Sequence, residues 1–200
     1  MKERVVVDFS KLPLHGLGNA SATWWGTLAF MLIEGTGFAL IIAVYLYLMS
    51  LAPVWPLNAA RPEILPGTIV TLLLVASLVP NYLVSRWAQQ QDLRKIRIGL
   101  IVMTVLGFAP LVVRFFEFPA LNINWDSNAY GSVVWTMLGL HTTHIITDLA
   151  DTVVLAALMF TRNGDNRRRY GDVQDNVMYW NFVVLAWLPI YGCIYWIPRL

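Results

Sequence analysis

Residues 130–151 read YGSVVWTMLGLHTTHIITDLAD, a stretch apolar enough to lie in a bilayer that nevertheless carries His141, His144, Asp148 and Asp151. Steps of three, seven and ten residues from His141 keep all four on one face of a helix. Ionisable groups are expensive in hydrocarbon, so that face must look into a protein interior or toward a partner. The apolar run extends from Tyr130 to Phe160; at ~1.5 Å per residue it exceeds a ~30 Å hydrocarbon core and must tilt or protrude.

Four more apolar runs flank it: 23–50, 65–85, 98–118 and 179–198. With 58% hydrophobic residues, 13% charged residues and a mean hydropathy of +0.59, the chain reads as an all-α, polytopic membrane bundle of five transmembrane helices. One domain spans 23–198, behind a polar arm at 1–22. That polar start has neither a signal-peptide nor a transit-peptide pattern, so the first span is expected to insert and stay. Segments 52–65, 86–97, 119–129 and 162–175 read as loops. No internal repeat is visible, and the net charge of +2 gives no case for nucleic acid.

Orientation follows from the Lys and Arg of alternate loops. Eleven fall on one side: Lys2, Arg4, Lys11, Arg86, Arg94, Lys95, Arg97, Arg162, Arg167, Arg168 and Arg169. Arg61 and Arg199 lie on the other. The positive-inside rule then puts the N-terminus in the cytoplasm and the C-terminus outside. Trp24, Trp25, Trp55, Trp87, Trp125, Trp180 and Trp196 fall near predicted span ends, and most of them read as interfacial anchors. Pro80, Pro110 and Pro189 lie inside spans, where each frees a carbonyl four residues earlier and predicts a kink.

Glu34 is the only charge in the first span, ~15 Å deep at helical rise and level with His141. It reads either as a neutral acid bonded to a neighbouring helix or as a titrating group that exchanges protons. Arg114 and Glu117, three residues apart, can pair near the outer surface. Asp148 and Asp151, toward the cytoplasmic end, reach water or the basic second loop. His141, His144, Asp148 and Asp151 spread along ~15 Å, too far for one metal, and interhelical hydrogen bonding is the better use of the two imidazoles. There is no set of histidines to hold haem, no Lys in mid-span and a single cysteine, Cys193, so no redox cofactor or metal is expected in this chain.

Four ordered blocks carry a resemblance. FMLIEGTGFALIIAVYLYLMSLAP (30–53) contains Glu34, and DLRKIRIGLIVMTVLGFAPLVVRFFEF (92–118) ends at the acidic Glu117. AYGSVVWTMLGLHTTHI (129–145) presents Tyr130, Gly131, Ser132, Gly139, His141 and His144; YWNFVVLAWLPIYGCIYW (179–196) presents Tyr179, Trp180, Phe182, Trp187, Tyr195 and Trp196. Together they resemble subunit III of the haem–copper respiratory oxidases (cytochrome c or ubiquinol oxidase) in its short, five-span bacterial form.

The resemblance implies an accessory subunit of a bacterial inner-membrane terminal oxidase in aerobic, proton-translocating electron transport. Haem and copper would sit in partner subunits. This chain would pack on catalytic subunit I, support proton uptake and enzyme stability, and hold phospholipid. It makes Glu34 the proton-linked or lipid-adjacent carboxylate, with His141, His144 and Glu117 as polar core, which Arg114 joins through its spacing from Glu117. Asn181 stands where that family usually has His, and Arg114, Asp148 and Asp151 where it is usually uncharged. The rival readings are the accessory subunit of a nitric oxide reductase, a stand-alone transporter, and a membrane metalloenzyme built on the 130–151 stripe.

Overall fold

The computed structural model describes residues 21–161 and 164–200, so nearly all of the expected arm at 1–22 lies outside the described residues. Five α-helices follow in order: α1 (Ala22–Leu51), α2 (Ile64–Gln89), α3 (Leu93–Glu117), α4 (Ala129–Met159) and α5 (Arg167–Tyr191). α5 continues through a π-helical turn, Gly192–Trp196, into a short 3-10 turn, Ile197–Arg199. All five are long and apolar enough to cross a membrane, and the chain is an all-helical, multi-pass membrane protein.

Four of the five helix starts carry a side-chain cap that opposes fraying. Ser21, Asp92, Asn128 and Asn166 cap α1, α3, α4 and α5, their side chains accepting from the N–H groups of Trp24, Lys95, Gly131 and Arg168. These bonds satisfy donors that a helix cannot satisfy internally. Pro80, Pro110 and Pro189 all lie within α-helices.

The helices do not share burial equally. α2 packs on α3 and α5, and α4 fills the space between α3 and α5, whereas α1 leans only on α4 and α5. Within α1 just Phe38 and Tyr45 are buried. Its Leu32, Ile33, Leu40, Tyr47 and Leu51 are more than 60% exposed, a surface made for lipid or another protein. Close approaches rest on two glycines. A Cβ at Gly67 would lie 2.4 Å from the Tyr195 ring, and one at Gly99 would lie 2.4 Å from Val84.

The loops of one end are tied together. The Glu63 N–H donates to the Ala120 carbonyl at 2.9 Å, and the Asn122 side chain donates to the Arg61 carbonyl at 3.2 Å. Arg199 donates to the carbonyls of Pro62 and Tyr195, pinning the C-terminal turn to the α1–α2 loop.

Three expectations need correction. The segment 86–97, read as a loop, is helical except at 90–92, because α2 runs to Gln89 and α3 starts at Leu93 behind the Asp92 cap. Residues 167–175, read as loop, form the first turns of α5. Asn166 supplies a cap, Arg169 and Asp172 pair at 3.1 Å one turn apart, and Tyr170, Val173 and Val177 continue the buried stripe. Hydropathy marks only the part of a helix that lies in lipid, so a polar overhang held by such bonds escapes it. Trp180 is not an interfacial anchor: it is 2% exposed, with its indole N–H donating to Ser77 Oγ at 2.8 Å.

Candidate functional site: polar clusters along the fourth helix

α4 presents its ionisable face to three neighbours, and the groups sort into clusters at successive levels. Toward the C-terminal end of α3, Arg114 and Glu117 pair at 2.5 Å with side chains 2% and 0% exposed. The pairing follows from the i, i+3 spacing. Both groups lie in the last turn of α3, and α4 and α5 with its extension close over them. Tyr195 donates to Glu117 Oε1 at 2.6 Å, and the guanidinium lies 4.1 Å from the Trp187 ring centroid. Ions out of water cost several kcal/mol each, so this pair depends on such extra contacts.

Arg114 Nη2 also lies 2.9 Å from His141 Nδ1. A guanidinium has no acceptor, so Nδ1 accepts, and the ring proton sits on Nε2, which donates to the Val183 carbonyl at 3.0 Å. His141 is therefore a neutral imidazole in a fixed tautomer, linking α3, α4 and α5.

One turn along, His144 does the opposite. Its Nδ1 lies 2.6 Å from the Leu140 carbonyl, which can only accept, so Nδ1 carries a proton. Its Nε2 lies 2.9 Å from Glu34 Oε1 on α1. One proton serves that contact, as a carboxyl donating to imidazole or as an imidazolium donating to carboxylate. Tyr179 of α5 donates to the other oxygen, Glu34 Oε2, at 2.7 Å. The two histidines do not bond each other. Phe38 of α1 lies against both, with ring centroids 4.8 Å from His144 and 6.2 Å from His141.

The third level belongs to Asp148 and Asp151. Both were expected to reach water or the basic 86–97 loop; Asp148 instead is 1% exposed and faces α5, while Asp151 is exposed. The Asn176 amide nitrogen lies 3.4 Å from Asp148 Oδ1, 3.2 Å from Asp151 Oδ2 and 3.1 Å from Thr152 Oγ1. Asp148 Oδ2 has no hydrogen-bond partner among the described residues. A cleft of about 530 Å³ opens here between α1, α4 and α5, lined among others by Gly26, Thr27, Asp148, Asp151, Asp175 and Tyr179.

Sequence reasoning therefore selected Glu34, Arg114, Glu117, His141, His144, Asp148 and Asp151 as polar residues of the spans, and each has a neighbour from another helix or its own turn. It did not assign roles to Asn176, Tyr179, Trp187 and Tyr195, all contributed by α5 or its extension. Asn176 was hidden by reading its segment as the end of a loop; Tyr179, Trp187 and Tyr195 stood in the resemblance without a role. Asn181, a departure from that resemblance, accepts from Asn81 Nδ2 at 2.9 Å and links α2 to α5. Among the described residues no three His, Cys, Asp or Glu converge as a metal-holding group.

The sequence pattern of the family described as "Cytochrome c oxidase subunit III" matches residues 14–198. Cytochrome c oxidase subunit 3 of Thermostichus vulcanus is 23% identical over 176 residues, which cover 87% of this chain and 87% of that protein. "Probable cytochrome c oxidase subunit 3" of Mycobacterium tuberculosis strain H37Rv is 24% identical over 191 residues, 92% of each chain. Cytochrome c oxidase subunit 3 of the sea star Pisaster ochraceus is 24% identical over 192 residues, 91% of this chain and 72% of the relative.

Proposed function

We propose that this chain, which belongs to the cytochrome c oxidase subunit III family, is the non-redox accessory subunit of a bacterial haem–copper terminal oxidase. It packs on catalytic subunit I in the inner membrane, supports proton uptake and keeps the catalytic subunit stable in turnover. Haem and copper belong to the partner subunits. The basic end of the bundle, with the α2–α3 and α4–α5 connections, faces the cytoplasm, in keeping with the distribution of Lys and Arg.

One observation carries the reading: Glu34 Oε1 and His144 Nε2 stand 2.9 Å apart across the α1–α4 contact. An acid and an imidazole arranged this way exchange a proton without changing their summed charge, which suits a group that takes part in proton traffic inside a low-dielectric bundle. The broad apolar surface of α1, with phenyl and aliphatic side chains outward, supplies area for subunit I or for phospholipid.

The test begins with a tagged chain purified in mild detergent. Co-purification of a haem-containing oxidase that consumes oxygen supports the reading; a colourless, folded, solitary chain overturns it, and a large subunit that reduces nitric oxide instead replaces it. The complex carrying Glu34→Gln then reports on the role of the acid. Slower proton uptake or faster loss of activity during turnover is the expected result, and wild-type behaviour in both assays removes Glu34 from the mechanism.

A further inference from the structure

We infer that the cleft between α1, α4 and α5 is a one-sided proton inlet, with Asp148 as its carboxyl station and the Glu34–His144 pair as its closed inner end; this rests on the proton-linked reading of Glu34.

Three features of the structure carry it. The first is a count of donors and acceptors. The Asn176 amide has two hydrogens, taken up by Asp148 Oδ1 at 3.4 Å and Asp151 Oδ2 at 3.2 Å, while the Thr152 hydroxyl donates to Asn176 Oδ1 at 3.3 Å. Asp148 Oδ2, at a residue 1% exposed, has no hydrogen-bond partner among the described residues. A buried carboxylate left short of donors costs free energy that one further proton or a water in the cleft removes. The orphaned oxygen belongs to a residue that lines the cleft.

The second is continuity. Tyr179 also lines the cleft, and its hydroxyl donates to Glu34 Oε2. Asp148 follows His144 by four residues on α4, so the station and the pair lie one turn apart on the same face. A cleft of about 530 Å³ has room for waters to bridge them. The charged groups around the route are Asp151 on α4, Glu34 on α1, and Asp172, Asp175 and Arg169 on α5, with Arg169 already paired to Asp172 at 3.1 Å. This leaves a surplus of acid that favours an incoming proton.

The third is closure. His144 commits Nδ1 to the Leu140 carbonyl, His141 commits both nitrogens to Arg114 and Val183, and the Phe38 ring lies against both imidazoles. No hydrogen bond joins the two levels among the described residues. A proton entering from the α1 N-terminal side therefore reaches Glu34 and His144, and goes no further along α4.

The test uses the complete oxidase complex, as wild type and with Asp148→Asn or Gly26→Phe, and reads infrared difference spectra. Gly26 lines the cleft, and a Cβ there meets nothing within 4 Å, so Gly26→Phe adds an aromatic ring to the cleft while every acid is retained. The expected result is a protonated-carboxyl stretch near neutral pH that is lost in Asp148→Asn, shifts promptly in heavy water, and shifts more slowly in Gly26→Phe. Absence of the band in wild type, or a band whose exchange Gly26→Phe leaves unchanged, overturns the inlet. Failure of the underlying reading looks different: the Asp148 band behaves as expected while Glu34→Gln leaves proton uptake and turnover unaltered.

Discussion

Glu34 Oε1 and His144 Nε2 stand 2.9 Å apart, and because the other nitrogen of the imidazole is committed to its own helix, the contact is defined by a single proton. Two substitutions separate the chemistry from the packing. Glu34→Gln keeps an amide that donates to His144 and an oxygen that accepts from Tyr179, so the bundle should hold. Glu34→Ala strands both partners, each costing about 1–3 kcal/mol when buried without a bond. Thermal unfolding of the purified complex should show a clear drop for Glu34→Ala and little for Glu34→Gln. Equal losses for the two would mean that the hydrogen bonds add nothing to stability.

Arg114 offers a harsher version of the same logic. Arg114→Met leaves Glu117 buried and accepting only from Tyr195, and it releases His141 Nδ1. Breaking one side of a buried pair typically costs about 3–5 kcal/mol, whereas replacing both sides is far milder. The double variant Arg114→Met/Glu117→Gln should therefore recover a substantial part of the folded chain lost in the single variant. Yield of chain co-purified with its partners is the measurement, and a double variant no better than the single would show that the pair is not coupled.

How much of this was legible beforehand depended on where each residue stood. The three-, seven- and ten-residue steps from His141 were enough to put four polar groups on one helical face, and the i, i+3 spacing was enough to pair Arg114 with Glu117. Both are properties of one helix, which a sequence displays directly. Which group meets which belongs to pairs of helices, and a single sequence does not display it. Asp148 was sent toward water because its distance from the span end says nothing of α5 lying over it. Trp180 was sent to the interface because the helix that carries it was thought to begin at Tyr179, twelve residues after its actual start at Arg167. That one boundary error also hid Asn176, the amide that binds both aspartates.

Gly67 supports the buried pair from a distance. It gives the Tyr195 ring room to lie against α2, and a Cβ there would stand 2.4 Å from Cε2 and Cζ and 2.9 Å from the hydroxyl oxygen. Gly67→Ala should push Tyr195 off Glu117 and destabilise by about 1–3 kcal/mol, the usual range for overpacking a filled core. Gly171→Ala is the control, since nothing lies within 4 Å of its Cβ and helix propensity favours alanine by up to about 1 kcal/mol. Unfolding temperatures should move in opposite directions; a Gly67→Ala protein as stable as wild type would show that the ring has other room.

Outside the membrane, Asp92 gives a pH signature that can be read on the same preparations. It caps α3, with Oδ2 2.9 Å from Lys95 Nζ and Oδ1 accepting from the Lys95 N–H at 3.2 Å. The Lys95 side chain, and after it the Lys95 backbone N–H, hold the Asp92 carboxyl below the usual carboxylate range. A carboxyl whose folded pKa is depressed contributes stability that is present above its unfolded pKa, near about 3.9, and is lost as pH falls through the lower folded value. Asp92→Asn keeps an oxygen to cap the helix but cannot titrate. The stability difference between wild type and Asp92→Asn should therefore be constant near neutral pH and shrink as the solution is acidified below about pH 4. Unfolding curves collected across that range check it, and a difference that stays flat to the acid limit would remove the Lys95 contact from the account.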